Sequence, residues 1–207
     1  MSSSHPGPRE PLTDATLVQR ARRGETIAYA ELVKRHYGRG HRLAYGLLGC
    51  AEAADQAAQE AFAHFGLLLP QLPEPVRLVP WLARLLVHYC SQAEYSNGDR
   101  GQRPGRCTAV GASPSRWPPP VLQLPQASHS GSWSADLSRL LAPLAAGDRL
   151  VLLLRELENL SYADIATILR LPQLLVQERL ARARRLIRHS VAQTVAAPGH
   201  RRPRNIL

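Results

Sequence analysis

The stretch from Asn159 to His189 restricts this chain more than any other, because its start, break and periodicity admit only two helices joined by a tight turn. Ser161 can accept from the free amides of the first helix. Asp164, three residues on, completes a capping box and places negative charge at the positive helix end. Ile165, Ala166 and Leu169 share one face. Arg170-Leu171-Pro172 then breaks the pattern, since proline disfavours helical geometry in the residue before it and suits a first helical turn. A second helix is expected from about Pro172, with Val176, Leu180, Ala183 and Ile187 as its apolar stripe. Gln173, Gln177, Arg179, Arg182, Arg184, Arg185 and Arg188 occupy the other faces. This is the outline of a helix-turn-helix. Arginine forks onto guanine edges or grips phosphate and glutamine pairs with adenine, so the residue types suit a DNA groove. A solvated surface helix has the same arginine-rich pattern, and the capped first helix and short turn tilt the reading towards DNA.

The charge balance points the same way. The chain carries a formal net charge of +10, and Lys34 is its only lysine, so the positive charge is almost wholly the planar, forked guanidinium. A codon bias towards arginine explains part of this. Cys50, Cys90 and Cys107 are odd in number and lack a Cys-x-x-Cys pair, which fits a reduced compartment better than a disulfide scaffold. His88 and Cys90, two apart on a helix, point in different directions, so no metal and no cofactor is expected. No run approaches the roughly 18 apolar residues of a membrane span, and Met1 to Pro11 lacks the apolar core of a signal peptide. The expected location is cytoplasmic, with no membrane partner. Without a Gly-rich phosphate loop after a strand or a nucleophile elbow, an enzyme has little support.

The expected architecture is all-α, with two helical domains on a flexible linker. Residues 1–12 are rich in serine and proline and are expected to be disordered. Residues 13–95 form the first domain. Thr13 can cap a helix bearing Leu17, Val18 and Ala21 that stops at Gly24. A second helix from Thr26 carries Ile27, Ala30, Leu32, Val33 and Tyr37, and a kink or break is expected at Gly38-Arg39-Gly40 before Leu43, Ala44, Leu47 and Leu48. A third, from Ala51, aligns Ala54, Ala58, Ala61, Phe62 and Phe65. Pro70 to Pro80 reads as a loop, with Pro80 opening a fourth helix that carries Trp81, Leu82, Leu85, Leu86 and Tyr89. Residues 96–135, with Trp117-Pro118-Pro119-Pro120 and Trp133, read as linker. The second domain covers 136–192, with helices from about Asp136, Ala146, Ser161 and Pro172. Residues 193–207, including Arg201, Arg202 and Arg204, form a basic tail suited to nonspecific nucleic-acid attraction.

Two blocks of residues carry a family resemblance. Leu-Ser-Tyr-Ala-Asp-Ile-Ala-x-x-Leu (160–169), followed by Val-x-x-Arg-Leu-Ala-Arg-Ala-Arg-x-Leu (176–186), resembles the promoter-binding C-terminal domain of bacterial sigma factors of the extracytoplasmic-function group. Leu17-Val18-x-Arg20-Ala21-x-x-Gly24-Glu25, Leu32-Val33-x-Arg35-x-Tyr37, Gln59-Glu60-Ala61-Phe62 and Trp81-Leu82-Ala83-Arg84-Leu85 resemble that family's N-terminal domain. The resemblance implies core RNA polymerase, promoter DNA and, in many members, an anti-sigma protein as partners. It places Asp55, Gln59, Glu60 and Phe62 near the polymerase contact, though Phe62 also reads as core. It places Gln173, Gln177, Arg179 and Arg182 in the major groove of the upstream promoter element, with Ser161, Tyr162, Arg184 and Arg185 on phosphates.

The departures from that pattern are specific. The family's acidic run before Gln-Glu is reduced to Asp55, and its Asn, Asp and Arg after Trp-Leu are matched by His88, Gln92 and Tyr95. Tyr89 and Tyr95 are of a type that stacks on unpaired bases, worth about 1–3 kcal/mol per base; for Tyr89 a core position competes. Arg170 stands where the turn usually has glycine, and Leu175-Val176-Gln177-Glu178 replaces Thr-Val-Lys-Ser. A promoter-directing sigma factor is the first reading. The second is a divergent sigma-like regulator that binds polymerase or DNA without initiating transcription.

Overall fold

The computed structural model describes residues 12–72, 75–98, 137 and 139–196. The expected linker, with Cys107, Trp117 and Trp133, the serine-rich start before residue 12 and the tail beyond residue 196 lie outside them, as does the side chain of Tyr95. All regular structure among the described residues is helical. Helices α1 (Asp14–Arg22), α2 (Thr26–Leu48), α3 (Ala51–Leu68) and α4 (Leu78–Gly98) build the first domain. Helices α5 (Ala146–Glu156), α6 (Tyr162–Leu169) and α7 (Gln173–Ala196), preceded by a helical turn at 139–141, build the second.

The caps follow local chemistry. Thr13 accepts from the amide of Thr16 at 3.3 Å, and Gly24 and Gly49 turn the chain at φ +88° and +67°, where a side chain would be strained. Cys50 caps α3, its sulfur accepting from the amide of Ala53 at 3.5 Å. Cys90 is buried between α2, α3 and α4.

The expected break at Gly38-Arg39-Gly40 is absent, and α2 runs unbroken from Thr26 to Leu48. Tertiary packing gives the reason. A Cβ on Gly40 would stand 3.0 Å from the Phe62 ring and 3.1 Å from Leu86, so that glycine lets α2 lie close against α3 and α4. Around it Tyr37, Phe62, Phe65, Leu43 and Leu86 are buried, the Tyr37 and Phe62 rings 5.5 Å apart and tilted by 46°. The Tyr29 hydroxyl donates to the Phe62 carbonyl. Helix α4 starts at Leu78 rather than at Pro80, which occupies a position in the first turn where no helical amide bond is lost.

In the second domain Val151, Leu154, Ile165, Val176, Leu180 and Ala183 form the centre. The two domains pack on each other. A Cβ on Gly46 of α2 would come within 2.9 Å of Leu153 of α5 and 3.6 Å of Leu141. Arg39 donates from Nε to the Leu157 carbonyl at 2.8 Å and lies 3.2 Å from the Glu158 carboxylate. Arg77, ahead of α4, forks onto Asp164 of α6 at 2.5 and 3.0 Å.

Arg170 closes α6 in the left-handed region at φ 53°. An L side chain there costs about 1–2 kcal/mol against glycine, offset in part by glycine's greater freedom in the unfolded chain. The Arg170→Gly variant is therefore expected to gain about 0.5–1 kcal/mol in urea unfolding; an unchanged or lower midpoint would contradict this.

Candidate nucleic-acid interface

The helix-turn-helix is held by bonds within its own sequence. Ser161 Oγ accepts from the Asp164 amide at 3.1 Å while Asp164 Oδ2 accepts from the Ser161 amide at 3.3 Å, which completes the capping box. Leu171 donates its amide to the Ala166 carbonyl at 3.0 Å, so the turn is tight. Helix α7 then sets Val176, Leu180 and Ala183 against α5 and α6.

Burial acts to raise the Asp164 carboxyl, but hydrogen bonds from Arg77 and Ser161 and the Arg77 charge outweigh it and hold the group below its usual range. A depressed folded-state value contributes stability that is present above the unfolded carboxyl value, about 3.9, and is lost as pH falls through the folded one. Below about pH 4 the start of α6 should therefore fray. The check is helical ellipticity against pH, where Asp164→Asn should flatten the acid limb.

Burial of the apolar stripe divides the remaining side chains of α7 into two sets. Gln173, Leu174, Gln177, Glu178 and Ala181 are exposed along its first half, as is Arg185 further on. Leu174, at 66% exposure, is a large apolar side chain with no core role. The other arginines are engaged within the domain. Arg182 forks onto the buried Asp148 of α5 at 2.6 and 2.9 Å. Arg184 pairs with Glu156 at 2.7 Å. Arg179 lies over Gly147, where an added Cβ would meet its guanidinium at 2.5 Å. Tyr162 is half-buried beneath the Arg155 guanidinium, which lies 5.1 Å from the ring centre. Of the residues expected at DNA, Ser161, Gln173, Gln177, Arg182, Arg184 and Arg185 are all exposed, Arg182 and Arg184 while paired with carboxylates of the same domain, and Tyr162 and Arg179 are half-buried. The structure ties Arg179, Arg182 and Arg184 to α5 and its end. Leu174 was not singled out by sequence pattern, and only its exposure distinguishes it from a core leucine.

On the first domain, Gln59 is exposed and Glu60, half-buried, accepts from Gln56 at 3.2 Å. Asp55 lies 3.3 Å from His41 and accepts from the Tyr37 hydroxyl at 3.5 Å. Burial, with the Asp55 charge adding to it, pushes the Tyr37 phenol up to about 12. Phe62 is 1% exposed and belongs to the core, the alternative that the sequence left open for it. Tyr89 is half-buried and its hydroxyl lies 3.0 Å from His64 Nδ1. His88 and Gln92 meet each other at 3.0 Å on the outer face of α4. Among the described residues no group of His, Cys, Asp and Glu could hold a metal ion. No helix there is long and apolar enough to cross a membrane.

Comparison with known proteins agrees with this geometry. Residues 134–187 match the sigma-70 region 4 family. Over 179 residues the chain is 28% identical to the RNA polymerase sigma-H factor of Pseudomonas aeruginosa, spanning 84% of this chain and 91% of that protein. Its fold is similar to that of CnrH, solved in complex with the cytosolic domain of CnrY, at a TM-score of 0.63 and 19% identity over 87% of this chain and 97% of that one. It is also similar to the sigma factor RpoE of Bartonella quintana, solved with the anti-sigma factor NepR, at a TM-score of 0.56 and 15% identity over 84% of this chain and 98% of that one. Residues 134–187 thus match a sigma-70 region 4 domain, and the chain as a whole is similar to sigma factors.

Proposed function

We propose that the chain is a sigma factor of the extracytoplasmic-function group, which joins core RNA polymerase in the cytoplasm and directs it to promoters. The observation that carries this reading is the exposed Gln173, Gln177 and Glu178 on a capped helix-turn-helix that follows a four-helix domain, in a chain similar to the sigma-H factor over 84% of its length. In this role Gln173 and Gln177 face bases of the upstream element, while Ser161 and Arg185 meet phosphate. Asp55, Gln59 and Glu60 of α3 contact the polymerase, which supplies the polymerisation chemistry. An anti-sigma protein is a further partner on this reading, supported by the solved relative that is itself paired with one. So small a DNA footprint binds weakly alone, and promoter selectivity comes from holding both domains on one DNA at high effective concentration.

The test is genome-wide run-off transcription with purified core polymerase, with and without the protein. New RNA starts sharing an upstream element are expected; their absence, with polymerase binding demonstrated, would favour a regulator that does not initiate. One observation favours that second reading: His88 and Gln92 are bonded to each other where the family has strand-holding Asn and Asp. Placing Asn, Asp and Arg at His88, Gln92 and Tyr95 should then raise initiation.

A further inference from the structure

The side of α7 that points away from the core carries an unusual mixture for a basic helix. Val176, Leu180 and Ala183 are buried, so the helical period sets Leu174, Glu178, Ala181 and Arg185 along the opposite side, and all four are exposed. Leu174 lies in the first turn and is 66% exposed. A lone exposed leucine on a surface needs no explanation. Leu174 differs in what stands beside it. Glu178, one turn on, puts a negative charge on the side that a nucleic acid would meet, in a stretch whose other charges are arginines. Arg182, a further turn along, feels the Glu178 charge but gives Nε and Nη2 to Asp148 at 2.6 and 2.9 Å, so its fork is not available to Glu178.

Against phosphate a carboxylate is repelled and a leucine gains nothing. Base edges offer both groups a partner. In the major groove thymine presents a methyl group, recognised by apolar contact, and cytosine an amino donor, recognised by a carboxylate. The N-terminal residues of a recognition helix are those that reach base edges.

We propose that Leu174 and Glu178 form a further base-reading edge of α7, Leu174 seating a thymine methyl group and Glu178 accepting from a cytosine amino group. Four residues of helix rise about 6 Å and two base-pair steps about 7 Å, so the thymine and the cytosine lie within about two base pairs of each other. Ala181, next along the same side, is small enough to keep the helix close to the bases. Glu178 penalises every duplex that lacks the cytosine, and so contributes discrimination rather than affinity. The proposal rests on the DNA-binding role given above, and adds to it bases that the glutamines do not specify.

The test enriches a random duplex library on the full chain at low salt. The bound duplexes should share a thymine and a nearby cytosine. Uracil in place of that thymine removes the methyl group and keeps every hydrogen bond of the pair. It should weaken wild-type binding about fourfold, the worth of burying one methyl-sized group, and leave Leu174→Ala binding unchanged. Glutamine pairs with adenine, so Glu178→Gln should move the preference at the cytosine to adenine. Both positions are exposed, and neither variant should shift the melting midpoint. A library without an enriched motif, a uracil duplex bound as tightly as its thymine parent, or an equal loss in wild type and Leu174→Ala would overturn the proposal. Run-off transcription by the holoenzyme reports separately on the sigma-factor role. A selective binder that starts no transcripts keeps this edge and loses that role, while promoter-selective transcripts without a uracil effect do the reverse.

Discussion

Truncating Phe62 to alanine is expected to lower the unfolding free energy by about 3–5 kcal/mol, the usual cost of removing a buried aromatic ring. Phe62 is 1% exposed, packs on Tyr37 and fills the space that Gly40 leaves between α2 and α3. The void would be lined by side chains from three helices that each serve other contacts, so little collapse is available. Urea unfolding followed by circular dichroism is the measurement. A loss under about 1 kcal/mol would mean the ring sits at a surface, as a polymerase contact requires. Gln59→Ala is the contrasting variant: Gln59 is exposed, and its removal should leave the midpoint nearly unchanged while weakening polymerase capture.

The second large effect is expected in DNA discrimination. Gln177 is exposed on the first half of α7, one turn beyond Gln173. A well-placed glutamine-adenine pair is worth about 1–3 kcal/mol against the wrong base, so Gln177→Ala should cut affinity for the upstream element by about 5- to 150-fold and relax the preference at one base pair. Arg182→Ala should behave otherwise. Its guanidinium is spent on Asp148, so the variant should melt earlier, because a buried carboxylate loses both its bonds, while the base preference of whatever remains folded is kept. Competition binding with single-base variants of the element separates the two, and a selective loss for Arg182→Ala would return that arginine to the groove.

Features that depend on near neighbours in sequence were legible. The capping box of Ser161 and Asp164, the stop at Gly49 and the stripe Val176-Leu180-Ala183 each follow from residues a turn or less apart, and the structure reproduces them. Features that depend on what stands opposite were not. Gly40 reads as a helix breaker until Phe62 and Leu86 are placed against it. Periodicity assigns Arg182 to a face of α7 but says nothing of Asp148, more than thirty residues upstream. Arg170 was legible as an oddity because the resemblance puts glycine at that place, and its φ is 53°. Which exposed side chains contact DNA or polymerase depends on partners, and no intramolecular pattern encodes them.

Helix α2 is shared property: its Gly40 face closes the core of the first domain and its Gly46 face seats the second. Two domains that lean on one helix should lose their structure together. Calorimetry of the intact chain should then give a single transition with matched calorimetric and van't Hoff enthalpies, and a wedge at Gly46 should split it into two, so that cooperativity itself reports whether the halves are joined.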